Sequence, residues 1–346
     1  MAESSLVIGF DLGGTKMHAA VVDAQGHVLH EERQKTQPQE GPVAVVDRMI
    51  GLCVRLQKEL GDRSGELGAV CVGVPGAVDD HAGIVERAPN LGWQNLALAQ
   101  KLSSALGVPV FLDNDVRVAV LGELAYGVGR GAKTMVGIFV GTGIGGGIVV
   151  DGHIHQGGRG VAGEVGHMTL VPHGPRCGCG KRGCAEALAS RTAMEREVHR
   201  LIDRGWDSVV PKIMKKLGHE QLTSSVIEKA LAKNDKVMHK VIEEAQYYLG
   251  LLVGSVANLL DPEVIVIGGG VAERLGDSFV APIRAHAYKH FLAQQDREKV
   301  RIVATELKDL AAPLGAALSA RDRLAGRLDS APGARHGTPP WPVPSA

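Results

Sequence analysis

Short apolar runs separated by turn residues open the chain. Residues 6–10, 19–22 and 28–34 are rich in Val, Ile and Leu or alternate apolar with polar side chains, a pattern typical of strands. A turn signal, D-A-Q-G at 23–26, separates the second run from the third. No helical segment intervenes, so the sequence predicts that the fold begins with an antiparallel meander.

Longer apolar segments follow, some with helical and some with strand periodicity. We predict helices at 43–60, 116–126, 237–260 and 311–324, and strands at 67–74, 108–112, 134–140, 147–150 and 264–267. The helix at 237–260 has few polar residues near its end, which indicates burial in the core or at a subunit contact.

The strand, glycine turn and strand of residues 134–150 repeat the order found at the start of the chain, which suggests two related α/β domains with a cleft between them. We place an N-terminal domain at 1–116, completed by a C-terminal helix near 305–325, and a larger domain at 117–304. Residues 326–346 are rich in Pro, Gly and Ser and are expected to form a disordered tail.

Composition narrows the class of protein. The 346 residues include 38 basic and 38 acidic side chains, and no long basic run favours nucleic-acid binding. No apolar segment has transmembrane length, so no membrane partner is expected, and the N-terminus lacks the basic region of a secretory signal. Three of five cysteines are clustered, which fits a reducing compartment better than a disulfide framework. We therefore expect a cytoplasmic enzyme.

The clustered cysteines carry the most specific chemical signal. Cys177, Cys179 and Cys184, together with His167, form a Cys₃His set, the composition of a closed structural zinc site. His173 is a weaker competing ligand, and we expect nearby His153 and His155 to lie on an exposed hairpin. The carboxylates Glu164 and Glu186 bracket the set without being needed as ligands, which indicates a polar binding site beside the metal.

Two glycine turns suggest anion binding. The segment G-T-G-I-G-G at 141–146 matches a dinucleotide-binding pattern, but a strand follows it where that motif needs a helix. Alone it would be read as an ordinary hairpin turn. A second turn, D-L-G-G-T-K at 11–16, makes a pair whose backbone N–H groups and threonine hydroxyls (Thr15 and Thr142) suit phosphate. Two hairpins of this kind are typical of the actin-like ATPase cleft, whereas neither matches the Walker A loop.

Asp113, Asn114 and Asp115 lie between a predicted strand and a predicted helix. One of these residues would serve as the helix N-cap. A carboxylate at this strand end also faces the crevice in which α/β proteins bind ligands, so Asp115 is a candidate catalytic base.

Taken in order, these motifs resemble the ROK family of sugar kinases, in particular its bacterial glucokinase-like branch. The matching segments are D-L-G-G-T-K (11–16), V-P-G (74–76), A-P-N-L-G-W (88–93), N-D-V (114–116), G-T-G-I-G-G (141–146), G-E-V-G-H (163–167), C-G-C-G-K-R-G-C-A-E (177–186) and I-G-G-G (267–270). The resemblance implies an actin-like (ribonuclease H-like) two-domain α/β fold and an ATP-dependent glucokinase that makes glucose 6-phosphate.

By position, the resemblance also implies roles for individual residues. Asp115 matches the catalytic base, and the sugar contacts match Gly76, Asn90, Asn114, Asp115, Glu164, His167 and Glu186. The phosphate and Mg²⁺ side matches Asp11, Gly13, Gly14, Thr15, Lys16, Gly141, Thr142 and Gly143, and the nucleoside side matches Gly269 and Gly270. The implied cofactors are ATP, Mg²⁺ and structural Zn²⁺, and the implied assembly is a homodimer or homotetramer.

Several alternatives stay open. Another hexose or N-acetylhexosamine (mannose, fructose, N-acetylglucosamine or N-acetylmannosamine) could be the acceptor, and polyphosphate a second donor. A non-catalytic sugar-sensing regulator is disfavoured, because only five residues precede Leu6 where the family's repressors carry a DNA-binding domain. Arg117 departs from the family's usual Ala or Asn, and we expect it on the solvent side.

Overall fold

The computed structural model describes residues 6–326. The strands run as follows: β1 Leu6–Leu12, β2 Lys16–Val22, β3 Val28–Lys35, β4 Leu67–Val74, β5 Ala77–Asp79, β6 Ile84–Ala88, β7 Trp93–Leu96, β8 Val110–Asn114, β9 Met135–Val140, β10 Ile144–Val150, β11 His153–Ile154, β12 Val264–Gly268 and β13 Arg301–Ala304. The helices are α1 Pro42–Glu59, α2 Leu98–Leu106, α3 Asp115–Tyr126, α4 Ala185–Ala189, α5 Arg191–Asp203, α6 Val210–Leu217, α7 Ser224–Leu231, α8 Lys236–Leu260, α9 Gly270–Leu275, α10 Asp277–Tyr288 and α11 Ala311–Leu324.

The described part of the chain divides into two compact units. The first unit contains the described residues up to Asn114, His155–Ala162 and the described residues from Ala317 onward. The second unit contains Asp115–Ile154 and Gly163–Ala316. The domain boundaries inferred from the sequence stay a prediction, and the predicted tail lies outside the described residues apart from Gly326.

Both units are built on a sheet of the same design. Within residues 6–326 the first sheet has the order β3-β2-β1-β4-β8 and the second the order β11-β10-β9-β12-β13. In each sheet the first three strands form an antiparallel meander, and the last two add parallel strands. The predicted opening meander is therefore confirmed, and the repeated order supports the internal relationship seen in the sequence.

The first unit packs its sheet against α1 and α2. Pro42 lies in the first turn of α1, where a missing N–H costs nothing. The inward stripe of α1 is fully buried, as its 3.6-residue periodicity predicts: Val45, Val46, Met49, Leu52, Cys53 and Leu56. The C-terminal helix α11 also contacts this unit. Arg321 donates a hydrogen bond to the backbone of Asp23, and Arg323 forms an ion pair with Asp80.

The second unit has its largest core around α8. Asp235 caps this helix by accepting from Met238 N, and the apolar face joins the chain's own core through residues such as Leu249, Leu252 and Val253. Burial in the core is therefore confirmed for most of the helix, although Leu259 is 74% exposed. Across the described residues, no helix combines the length and apolar character needed to cross a membrane.

One predicted strand begins earlier than the sequence indicated. The prediction ended the glycine turn at 147, yet β10 starts at Ile144 and includes Gly145, Gly146 and Gly147. A Cβ at Gly145 would lie 2.6 Å from Val116 and one at Gly147 would lie 2.9 Å from Val120, both on α3. These glycines therefore permit close helix–strand packing rather than forming the turn itself.

Candidate functional site

The turn between β1 and β2 presents unpaired main-chain donors. Gly13 N–H donates to Lys16 O (3.0 Å), which closes the turn. Buried Thr36 holds it from behind, with its hydroxyl on Gly13 O (2.7 Å) and its N–H on Thr15 O (2.9 Å). Among residues 6–326 the N–H groups of Gly14 and Thr15 have no acceptor. Two successive free N–H groups of this kind suit an anion.

The turn between β9 and β10 in the second unit follows the same design. Gly141 N–H donates to Gly143 O (2.9 Å), while the first residues of α5 hold the turn from behind. Thr192 Oγ1 donates to Thr142 O (2.8 Å), and Arg191 N–H donates to Gly141 O (3.0 Å). Within the described chain the N–H groups of Thr142 and Gly143 have no acceptor. We call these two the second donor pair, and those of Gly14 and Thr15 the first.

Gly269 and Gly270 lie close to the second turn. Gly269 has φ +83°, and a Cβ there would lie 2.5 Å from Val140 O, at the end of β9. A Cβ at Gly270 would lie 2.9 Å from Ser224 Oγ on α7. The structure therefore brings the predicted nucleoside residues next to the predicted phosphate turn within one unit.

The predicted sugar residues of the first unit are held by close backbone contacts. Asn114 Nδ2 donates to Gly76 O (3.2 Å). Gly76 has φ +111°, and a Cβ there would lie 2.2 Å from Arg87 O, so only glycine fits. A Cβ at Gly14 would lie 3.4 Å from Asn90 Cβ, which places this sugar candidate beside the first donor pair.

Asp115 is the first residue of α3 and directly follows β8. Its Oδ1 accepts from the N–H of the next residue of the helix, Val116 (2.9 Å). The neighbouring Asp113 is buried and accepts from Asn114 N (2.7 Å). Arg117, expected on the solvent side, is only 6% exposed, so that expectation is wrong. Successive residues of a helix turn by about 100° per residue, and this position faces inward.

The four predicted zinc ligands come together. The potential ligand atoms of His167, Cys177, Cys179 and Cys184 all lie within 4.8 Å of one another. The distance from Cys177 Sγ to His167 Nδ1 is 3.7 Å, and that from Cys179 Sγ to Cys184 Sγ is also 3.7 Å. Tetrahedral zinc with bonds of about 2.3 Å to sulfur and about 2.0 Å to nitrogen separates two sulfurs by about 3.8 Å, and sulfur from nitrogen by about 3.5 Å. The cluster fits structural zinc.

Main-chain bonds shape the loop that carries the cysteines. Cys177 N–H donates to Lys181 O (2.8 Å), and Gly183 N–H donates to Pro175 O (2.9 Å). Burial raises the pKa of the Cys177 thiol to about 12, whereas the Lys181 N–H lowers the pKa of Cys179. Zinc binds thiolates, so its binding would release protons. His173 is exposed and does not belong to the cluster, and His153 and His155 are exposed as expected.

Glu164 and Glu186 lie on either side of this cluster. Because Nδ1 of His167 points to Cys177, Nε2 is left on the other side of the ring, 3.9 Å from Glu164 Oε2. Glu186 Oε1 lies 3.5 Å from Cys177 Sγ, and its Oε2 accepts from Ile144 N (3.1 Å). A Cβ at Gly143 would lie 2.3 Å from that same Oε2. Glu186 thus joins the metal loop to the second turn.

Sequence reasoning missed three residues that hold the turns: Thr36, Arg191 and Thr192. Each belongs to a segment distant in sequence from the turn it contacts, and threonine or arginine at such positions has no local signature. The repeated turn design was the one signal that could have prompted a search for them.

Comparison with known proteins identifies the family. The ROK family model matches residues 7–323. The chain belongs to the ROK family. It is 36% identical over 281 residues to the glucokinase of Halalkalibacterium halodurans, covering 81% of this chain and 84% of that protein. It is also 29% identical to the xylose repressor of Caldicellulosiruptor bescii, covering 89% of this chain and 76% of that protein.

A solved ROK structure confirms the fold. The ROK glucokinase from Streptomyces griseus, crystallised with glucose and AMPPNP, is 32% identical and matches with a TM-score of 0.76. The match covers 92% of this chain and all of that chain. The predicted actin-like, mixed α/β fold of ROK sugar kinases is therefore confirmed.

Proposed function

We propose that this protein is an ATP-dependent glucokinase that transfers the γ-phosphoryl group of ATP to glucose. The similarity to ROK glucokinases supports this activity over that of the repressors, to which identity is lower. The observation that carries the proposal is the position of Glu186, which contacts the cysteine loop through Cys177 and the second turn through Ile144. Groups suited to sugar hydroxyls and groups suited to phosphate therefore share one local structure.

Sugar binding in this proposal uses amides, carboxylates and one imidazole. In the first unit the candidates are Asn90 and Asn114, and in the second they are Glu164 and Glu186. These residue types suit a hexose, because each sugar hydroxyl both donates and accepts. With Nδ1 directed to the metal cluster, Nε2 of His167 faces Glu164 and is available to a hydroxyl. The zinc would be held by His167 and the three cysteines and would supply rigidity, with no direct part in the chemistry.

We assign phosphate binding to each donor pair within its own unit. In the first unit the N–H groups of Gly14 and Thr15 would receive phosphate oxygens, and Asp11, at the end of β1, offers a carboxylate for Mg²⁺. In the second unit the N–H groups of Thr142 and Gly143 would receive phosphate oxygens. The magnesium ion would neutralise charge on the phosphates. Gly269 and Gly270 would border the nucleoside.

Asp115 would act as the general base. It would take the proton of the attacking sugar hydroxyl as the oxygen bonds to the γ-phosphorus and the bond to the ADP oxygen breaks. The Val116 N–H at the start of α3 already restrains one carboxylate oxygen of Asp115.

The test is an ADP-release assay with Mg²⁺-ATP across glucose, mannose, fructose, N-acetylglucosamine and N-acetylmannosamine. We expect glucose to give the highest kcat/KM, and Asp115→Asn to lower kcat by about 10² to 10⁴ while glucose binding is retained. No stimulation by any sugar would refute the kinase and favour a sugar-sensing regulator. A higher kcat/KM for another sugar would refute glucose as the substrate but not the kinase activity. The expected homodimer or homotetramer stays a prediction, which light scattering after gel filtration would check.

A further inference from the structure

Arg191 lies behind the second turn and is not explained by the roles proposed so far. It is the first residue of α5, and its N–H donates to Gly141 O. Its side chain turns back to the same turn, where Nη2 donates to Thr142 Oγ1 at 2.7 Å. Main chain and side chain of one residue thus contact two successive residues of the turn.

Few negatively charged groups lie near the positive charge of Arg191. In the described part of the chain no carboxylate lies within ion-pair distance of the Arg191 guanidinium, although Glu195, one turn along α5, exerts a favourable field. The side chain is half-buried, and desolvation by burial lowers its pKa. An arginine in such a place stays protonated, because the guanidinium is by far the strongest base among the side chains. Among residues 6–326 the positive charge therefore has no fixed counter-ion.

The hydrogen bond to Thr142 also sets the direction of a proton. A hydroxyl group has one donor hydrogen and two acceptor lone pairs, whereas a guanidinium can only donate. Since Arg191 occupies a lone pair of Thr142 Oγ1, the hydroxyl hydrogen must point elsewhere. Thr142 is exposed, so that hydrogen is available on the same side chain whose N–H belongs to the second donor pair.

We propose that Arg191 is a positioning residue for the phosphates of the donor nucleotide, acting through Thr142. It keeps the Thr142 hydroxyl as a hydrogen-bond donor to a phosphate oxygen and adds a cation behind the turn. The inference rests on the proposed kinase function and extends it to a residue that does not itself touch the transferred group. A merely structural arginine would affect folding but not the difference between phosphorylated and unphosphorylated ligands.

The experiment measures binding of Mg²⁺-ATP and of adenosine by calorimetry, without sugar. The variants are Arg191→Met, Arg191→Lys, Thr142→Val and the double variant Arg191→Met/Thr142→Val. Arg200→Met is the matched control, because Arg200 lies on the same helix but pairs with Glu197 on its exposed face. Thermal unfolding of each variant verifies that it is folded, and Arg191→Lys retains the charge if removal of the side chain disturbs α5.

We expect Arg191→Met to weaken Mg²⁺-ATP binding by roughly 10- to 150-fold, the range for a hydrogen bond to a charged group. Adenosine and glucose affinities should be unchanged, Arg191→Lys should recover part of the loss, and Arg200→Met should match wild type. In the Thr142→Val background the loss from Arg191→Met should shrink to a few-fold, because the two residues act together.

Three results would overturn the inference. Wild-type Mg²⁺-ATP affinity in Arg191→Met would show that the arginine does not serve the phosphates. An equal loss for adenosine would reduce it to a structural residue, and full additivity with Thr142→Val would show that it does not act through Thr142. If the wild-type protein binds no Mg²⁺-ATP, the proposed function and this inference fail together. If it binds Mg²⁺-ATP but phosphorylates no sugar, only the proposed function fails.

Discussion

Replacing Gly143 by alanine should weaken sugar binding, although the residue belongs to the phosphate turn. The added Cβ would lie 2.3 Å from Glu186 Oε2, where ordinary contacts begin at 3.4 Å, so the carboxylate must retreat by about 1 Å. Glu186 ends a flexible side chain, so the retreat costs little folding free energy. It does, however, disturb the bond to Ile144 N–H that holds the carboxylate in place.

The magnitude follows from the hydrogen bonds at stake. A hydrogen bond between a carboxylate and a neutral donor contributes about 1.5–3 kcal/mol, which corresponds to roughly a 10- to 150-fold change in Kd. A displacement of about 1 Å removes most of such a bond, because hydrogen bonds fall away beyond about 3.2 Å. We therefore expect the glucose Kd of Gly143→Ala to rise at least tenfold.

Gly141→Ala is the matched control. A Cβ at Gly141 has no neighbour within 4 Å, so this substitution in the same turn leaves Glu186 where it is. Calorimetric titration of glucose into both variants without nucleotide provides the comparison. Equal glucose affinity in the two variants would refute the reasoning, because it would mean that Glu186 either does not move or does not bind the sugar.

Other substitutions test the metal loop and the stability of the second unit. Cys179→Ser should lose zinc, measured by metal analysis after gel filtration, and should raise the glucose Kd while adenosine binding is kept. Unchanged glucose affinity would mean that the cluster stabilises the fold without positioning the sugar residues. Glu123→Ala should lower the free energy of unfolding by about 3 kcal/mol in urea titrations, because buried Glu123 accepts from Thr305 Oγ1 and from the N–H groups of 128, 306 and 307. Glu228→Ala, which removes an exposed ion pair, should cost less than 1 kcal/mol. Hydrogen bonds from the N–H groups of Thr134 and Lys133 lower the pKa of Glu263. Its contribution to folding stability is therefore complete above the ordinary pKa of 4.5, and it is lost as the pH falls through the lower pKa of the folded protein. The melting temperature of Glu263→Gln should thus be lower than that of the wild type at pH 7 and equal to it in strong acid. A difference in melting temperature that does not change with pH would contradict this.

The fold was predictable where the hydrophobic period extends over many residues. The opening meander, α1, α8 and α11 have long apolar stripes or alternations, and their positions agree with the prediction. The three-stranded sheet of β5, β6 and β7 was not predicted, because strands as short as Ala77–Asp79 show no period. Helix α10 was missed as well, since Pro282 lies inside it and normally indicates a break.

The site was predictable where chemistry concentrates in a short segment. The zinc ligands lie within 18 residues, and metal coordination demands particular side chains, so their spacing was informative. The supports of the two turns were not predictable, because Thr36 and Thr192 act through one hydroxyl each on a carbonyl far away in sequence. The start of β10 was predicted wrongly for a related reason. The glycines there are needed because Val116 and Val120 pack closely against them, and the local sequence does not reveal that contact.

Each of the two donor pairs offers peptide N–H groups, with a threonine hydroxyl beside them. Such groups distinguish a phosphate from a neutral molecule, but they do not contact the purine at the other end of the nucleotide. With Gly269 and Gly270 bordering the nucleoside as proposed, a preference for ATP over GTP, or over inorganic polyphosphate, would be decided in that region. It follows that donor choice can change by substitutions in that region while the machinery of transfer is untouched.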